Sequence, residues 1–193
     1  MRTHTRLFGQ IISFQNLLKA ARLAQRGKRY KNPVSRFNFH LEKELWNLHR
    51  EMAEKKYEPG QYHHFVIYEP KERTISAAPY RDRVVHHAIH NILEPIFEPT
   101  FVHDSYATRK GKGTHVAIDR FQSFSQKCAY ALKCDIQKYF PSIDPGILMT
   151  QIRRKVACPD TLWLIEKILK SHGAMADGLH QSINQSINQS INQ

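Results

Sequence analysis

Acidic residues are scarce in this sequence: 17 Asp+Glu stand against 29 Lys+Arg, a formal net charge of +12 over 193 residues. That balance does not suit a cationic or neutral partner and suits a polyanion, most simply nucleic acid. Cysteine is also sparse. Cys128, Cys134 and Cys158 have no Cys-x-x-Cys spacing, which excludes a zinc knuckle and a disulfide framework and makes a reducing compartment the default. No apolar run approaches the roughly 18 residues a membrane span needs. The stretch Met1 to Gln10 has charge but no long apolar segment, so no signal peptide is expected and the location is read as cytoplasmic. A basic membrane-surface protein would need one strongly apolar helix face, whereas here the apolar residues are spread over the whole chain. The phosphate-cradling Gly-x-x-x-x-Gly-Lys-Ser/Thr spacing is absent. His86 and His90 sit four apart, a spacing that could hold zinc on a helix. No Glu follows the first His as in a metalloprotease, and both are read as core-edge or surface histidines.

The residues present fall into helices with one hairpin. Ile11 to Lys28 is predicted helical from Ile11, Phe14, Leu17, Leu18 and Ala21, with Gly27 as its stop. Lys28 to Pro33 follows as a basic, solvated connector. Phe37 to Lys56 carries a cleaner stripe of Phe37, Leu41, Leu45, Leu48 and Met52, closed by the breaker pair Pro59-Gly60. His64 to Tyr68 and Arg73 to Ala77 alternate as strands about the turn Glu69 to Glu72, which predicts a hairpin. Tyr80 to Phe97 is helical by pattern. Glu98 to Gly113 is a loop ending in Arg109-Lys110-Gly111-Lys112-Gly113, where glycines permit close backbone approach and the cations supply charge. A mobile surface loop is the plainer reading of that stretch. Thr114 is predicted to cap a helix to Phe124 with Val116, Ile118 and Phe121 inward. Ser142 or Asp144 can cap a helix from Pro145 to Val156, and Pro159 opens another with Leu162, Ile165, Ile168 and Leu169 as its stripe. Gln181 and three copies of Ser-Ile-Asn-Gln end the sequence, a polar repeat expected to be disordered.

Tyr130 to Ile143 is the stretch the rest is arranged around. Its apolar run ends in a single acid, Asp135, and a turn with Tyr139, Phe140 and Pro141 follows. The pattern predicts a buried strand that delivers a carboxylate to its C-terminal edge. Desolvation disfavours the charged form there unless a cation meets it, and a hard ion such as Mg²⁺ is the natural partner for an oxygen ligand. The plainer alternative is a strand-end Asp that caps the next turn.

Three stretches together resemble a bacterial reverse transcriptase of the kind found in group II introns, retrons and diversity-generating retroelements. Arg73-Thr-Ile-Ser-Ala-Ala-Pro-Tyr-Arg-Asp-Arg-Val-Val-His-His-Ala-Ile resembles the fingers motif that leads into the first palm helix. Asp104-Ser-Tyr-Ala-Thr-Arg-Lys-Gly-Lys-Gly-Thr-His resembles the loop after it, and Leu132-Lys-Cys-Asp-Ile-Gln-Lys-Tyr-Phe-Pro-Ser-Ile-Asp the palm motif with the first catalytic aspartate. The resemblance implies an α+β right-hand polymerase fold reduced to fingers and an incomplete palm: helices, a small antiparallel sheet and no thumb. It divides the chain into 1–79 (N-terminal helices and fingers hairpin), 80–144 (partial palm), 145–180 (helical segment) and 181–193 (repeat tail). It implies RNA template, DNA or RNA primer and dNTP as partners. Asp135 and the backbone carbonyl of Ile136 would bind Mg²⁺, two ions in the intact family. Arg73 and Arg81, with Arg83 as the alternative to Arg81, would grip the triphosphate. The backbone amides of Lys138 and Tyr139 would meet it, and Phe140 would pack under the sugar and reject a 2′-hydroxyl. In that chemistry a primer 3′-hydroxyl attacks the α-phosphate between two metals about 4 Å apart.

The match also breaks. The family continues after Gly-Leu with Pro-x-Gly and a Ser-Gln pair, then a hairpin bearing two adjacent aspartates. Here Gly178-Leu179 is followed by His180 and the repeat, and no Asp-Asp pair occurs. One carboxylate cannot hold two metals against their mutual repulsion. The expectation is therefore a reverse transcriptase fragment without polymerase activity by itself, which a separately encoded C-terminal half could complete. The alternatives are a non-catalytic nucleic-acid-binding module and an interaction protein that keeps the fold as a scaffold.

Overall fold

A computed structural model describes residues 3–68, 72–137, 139 and 142–171. The first expected helix is two: α1 (Phe8–Ile12) and α2 (Phe14–Ala24), parted at Ser13. Ser13 takes extended backbone angles (φ −57°, ψ 141°) and its hydroxyl accepts from the Asn16 amide at 3.4 Å, so a capping residue overrides the apolar period. Gly27, at φ +66°, ends this region as expected, in the left-handed conformation that glycine adopts without steric cost. The basic connector is shorter than predicted, because α3 (Asn32–Phe39) starts inside it with Pro33 in its first turn. α4 (Leu41–Ala53) follows after a break at His40 and buries Leu45, Leu48 and Met52.

β1 (His63–Ile67) and β2 (Arg73–Ala77) pair antiparallel with Phe65 opposite Ile75, the expected hairpin; its turn at residues 69–71 lies outside the described residues. α5 has the expected bounds, Tyr80–Phe97, and buries Val84, Val85, Ala88 and Ile89. A 3-10 turn (Glu98–Thr100), α6 (Thr114–Ser125), α7 (Pro145–Arg153) and a last helix, α8 (159–171), complete the described elements. Among the described residues the sheet is thus two-stranded, within a mixed α+β arrangement.

The chain forms two compact units, one of Met1–Ile96 with Asp144–Gln193 and the other of Phe97–Ile143. The first contains the core: Ile11, Leu17, Val34, Leu45, Leu48, Met52, Val84, Val85, Val156 and Leu164 are buried. Two polar nodes pin α5 into it. Asn16 Nδ2 donates to the carbonyls of Ile11 and Ala88, each at 2.9 Å, while its Oδ1 accepts from Asn91 at 3.0 Å. Tyr80 is buried, donates its hydroxyl to the Ala21 carbonyl at 3.0 Å and meets Phe37 edge-on. Near the N-terminus, His4 pairs in parallel with Val156: its N–H donates to the Lys155 carbonyl and its carbonyl accepts from Ala157, both at 2.9 Å. α8 buries Thr161, Leu164 and Ile165, so its inward stripe is rotated from the predicted one and Leu162 is only half-buried.

The second unit departs most from expectation. The run from Tyr130 to Asp135 forms no strand. Tyr130 is 95% exposed and Leu132 89% exposed, the reverse of a buried strand. A strand is held by hydrogen bonds to a neighbour, and no strand among the described residues pairs with this run. α6 differs for a related reason. Its Val116, Ile118 and Phe121, expected to face inward, are exposed, and none of its residues is buried. Its N-cap is Gly113 rather than Thr114, and no side chain caps it.

Candidate nucleic-acid interface

The expected site residues separate by unit. Arg73 and Arg81 belong to the first, Asp135, Ile136 and Tyr139 to the second; Lys138 and Phe140 lie outside the described residues. Arg73 opens β2 opposite Ile67 and is exposed. The hairpin around it is exposed along β1, with His63 stacked on Phe65 at 5.8 Å between centroids and Phe65, Val66, Ile67 and Tyr68 accessible. Aromatic rings beside cations offer bases a stacking face and phosphates a counter-charge.

At the start of α5 three adjacent charged residues have three different environments. Arg81 Nη2 is 2.5 Å from Glu51 on α4, with its guanidinium 5.9 Å from the Tyr57 ring centroid. Asp82 is 3% exposed. Its Oδ1 accepts from the buried Tyr57 hydroxyl and its Oδ2 from the Gly60 amide, both at 2.8 Å. That node holds the chain entering β1 against α5, and burial together with the Asp82 charge pushes the Tyr57 hydroxyl pKa far above its ordinary value. Gly60 fits because a Cβ there would stand 3.1 Å from Pro79 and 3.3 Å from Asp82 Oδ2. Arg83 instead stacks over Tyr80 at 5.6 Å and pairs with no carboxylate among the described residues. The pattern of one acid among basic residues gave no sign that Asp82 is buried; the signal available was Tyr57, an aromatic with a polar tip that needs a partner once buried.

The loop before α6 uses its cations internally. Arg109 Nε donates to Glu98 at 2.8 Å and its Nη1 to the carbonyls of Val102 and Ser105, while the guanidinium covers Phe101. Lys112 donates to the His103 carbonyl at 2.7 Å and lies over Tyr106. Asp104 accepts from Arg120 twice, at 3.0 and 3.2 Å, and from the Tyr106 hydroxyl. Those hydrogen bonds, Arg120 first, hold the Asp104 carboxyl well below the usual carboxylate range. Arg109 and Lys112 therefore shape the loop, which leaves Lys110 as its exposed cation between them.

Asp135 and Ile136 are exposed in irregular backbone. Tyr139 is half-exposed, and its carbonyl accepts from the Ser142 amide and hydroxyl. Asp144 caps α7 through the Ile147 amide at 2.8 Å, the second of the two caps expected there. Among the described residues no three His, Cys, Asp or Glu side chains lie close enough to hold a metal. Among the described residues, Asp135 therefore belongs to no donor set that fits two Mg²⁺ ions. No helix of the described residues is long and apolar enough to cross a membrane.

No family model matches the chain. At low identity, and over about half its length, the chain is similar to intron maturases and group II intron-encoded proteins. It is 32% identical over 91 residues, 47% of this chain and 13% of the relative, to nuclear intron maturase 1, mitochondrial, of Arabidopsis thaliana. It is 28% identical over 101 residues, 52% of this chain and 17% of the relative, to the group II intron-encoded protein LtrA of Lactococcus lactis. It is also 27% identical over 137 residues, 66% of this chain and 35% of the relative, to protein YkfC of Escherichia coli. The matched segments thus span between 13% and 35% of these three relatives.

Proposed function

We propose that the chain is a fingers-side portion of a reverse transcriptase of the intron-encoded kind, which binds RNA and does not extend a primer by itself. The observation that carries this reading is the similarity to intron maturases and a group II intron-encoded protein, joined to the three motif stretches. The +12 charge and the exposed aromatic and histidine side chains of the hairpin support RNA as the partner. In this reading Arg73 and Arg83 supply the phosphate-facing cations, because Arg81 is neutralised by Glu51. Asp135 and the Ile136 carbonyl are one part of a Mg²⁺ site whose other carboxylates come from a second polypeptide. Lys138, Tyr139 and Phe140 line the dNTP position only in that assembled state.

Salt dependence tests the RNA reading. The affinity of the chain for a single-stranded oligoribonucleotide should fall steeply between about 50 and 200 mM salt, as release of counterions from several phosphates requires. Absence of binding at the low end, or binding indifferent to salt, contradicts it.

A further inference from the structure

Trp46 lies on α4, apart from the groups assigned above, and is 50% exposed. Its ring is braced on one side. Phe14 of α2 stacks against it, with centroids 5.1 Å apart and planes inclined by 28°. His49, one turn on, meets it edge to face at 5.4 Å. His49 is itself held, with Nδ1 2.8 Å from the Ile12 carbonyl oxygen. What remains accessible of the indole borders an open groove of about 430 Å³, lined by Phe39, His40, Leu41, Glu42, Lys43 and Trp46. Phe39, the last residue of α3, is 83% exposed there. The charge around this aromatic surface has one prevailing sign. No Asp or Glu precedes Glu42 in the sequence, while Lys and Arg occur nine times before it. On α4, Lys43 and Arg50 stand three residues before Trp46 and four after it, on the same helix face. Arg50 donates to Asn47 at 3.3 Å, and Glu54, the acid one turn beyond it, is paired with Lys56 at 2.7 Å.

We infer that Trp46, with Phe39 at the same groove and Lys43 and Arg50 a turn to either side, is a stacking site for an unpaired base of RNA. The inference rests on the RNA-binding reading above. It adds where a base sits and that the RNA there is single-stranded. A braced ring loses little freedom when a base stacks on it, and every base offers a π-face. The flanking cations serve the phosphates on either side of that base. Glu42, the carboxylate bordering the groove, is an acceptor for the exocyclic amine of a base such as cytosine. A second copy of so basic a chain would bring like charge to like charge at this face, which disfavours self-association as its use.

The experiment uses the full chain. With Trp163→Phe, Trp46 is its single tryptophan. An unstructured pyrimidine oligoribonucleotide of about 12 nucleotides should quench Trp46 emission on binding, and the same strand annealed into a duplex should not. Anisotropy of the labelled strand, with both tryptophans otherwise in place, should show Trp46→Ala binding about tenfold more weakly. Its slope of log affinity against log salt should be unchanged, because a stacked ring releases no counterion. Lys43→Gln should instead lower that slope by about 1. Trp46→Phe, which keeps a ring against Phe14, should regain most of the affinity, and so separates lost stacking from lost folding. Binding that leaves Trp46 emission unquenched and is equally tight in Trp46→Ala overturns the stacking site while the proposed function stands. Failure of the unaltered chain to bind the strand at low salt overturns both. Self-association that Trp46→Ala abolishes, seen by sedimentation, assigns the face to a second copy and overturns the inference.

Discussion

Asp82 shows how one side chain can decide a local structure. Its carboxylate, itself buried, serves two donors at once, the buried Tyr57 hydroxyl and the Gly60 amide. Removing the acceptor leaves the buried Tyr57 hydroxyl with its desolvation cost and no return, and frees the Gly60 amide that ties the chain entering β1. Asp82→Ala should therefore lower stability by about 2–3 kcal/mol, read as a reduced urea midpoint, whereas Tyr57→Phe, which removes a single donor, should cost about 1 kcal/mol. An Asp82→Ala midpoint equal to that of the unaltered chain contradicts this account of the node. The histidines of α5 make a second prediction at this scale. Burial, first among the causes, holds His86 and His87 below the ordinary histidine value. The unfolded chain then binds more protons than the folded one below about pH 6.5, so stability is full above that value and declines as pH falls beneath it. Urea midpoints in phosphate-free buffer should drop from about pH 7.5 to about pH 5.5, and His86→Gln should flatten the drop.

Among the elements, those with a strong apolar period and a place in the core were legible from sequence. α5 matched to the residue, the hairpin strands within one, and the stripe Leu45, Leu48 and Met52 lies where its spacing put it. Short polar residues decided the places where the period misled. Ser13 divides the first helix by capping the second piece, and Pro33 starts α3 inside what composition marked as a connector. The caps carry a prediction. Asp144→Ala should destabilise α7 by about 1 kcal/mol, because the Asp144 carboxylate accepts from the Ile147 amide at 2.8 Å. Ser13→Ala should cost less, its bond being 3.4 Å. Thermal denaturation of the two variants checks the order. The 130–136 run and α6 were misjudged for a different reason. Their apolar residues predict burial, yet burial depends on a neighbour, and a local pattern cannot say whether one is present. The same limit hid Asp82, whose partners stand 25 and 22 residues away.

At the scale of the whole molecule, charge and exposed surface point the same way. An excess of cations and an exposed aromatic hairpin fit a chain that meets nucleic acid. Tyr130, Leu132 and Phe121 of the second unit are large apolar side chains left exposed, the kind of surface that marks an interaction site. Among the described residues Asp135 belongs to no group of three or more His, Cys, Asp or Glu side chains that could hold a metal, and two metal ions held close together need several carboxylates. The central claim, an RNA-binding chain of reverse transcriptase descent that cannot polymerise unaided, is tested most directly by primer extension. The purified chain is given an RNA template, an annealed primer, dNTPs and Mg²⁺, and the products are compared with those of a no-protein control. The account predicts no extension above the control. Template-dependent extension that disappears in Asp135→Asn contradicts it.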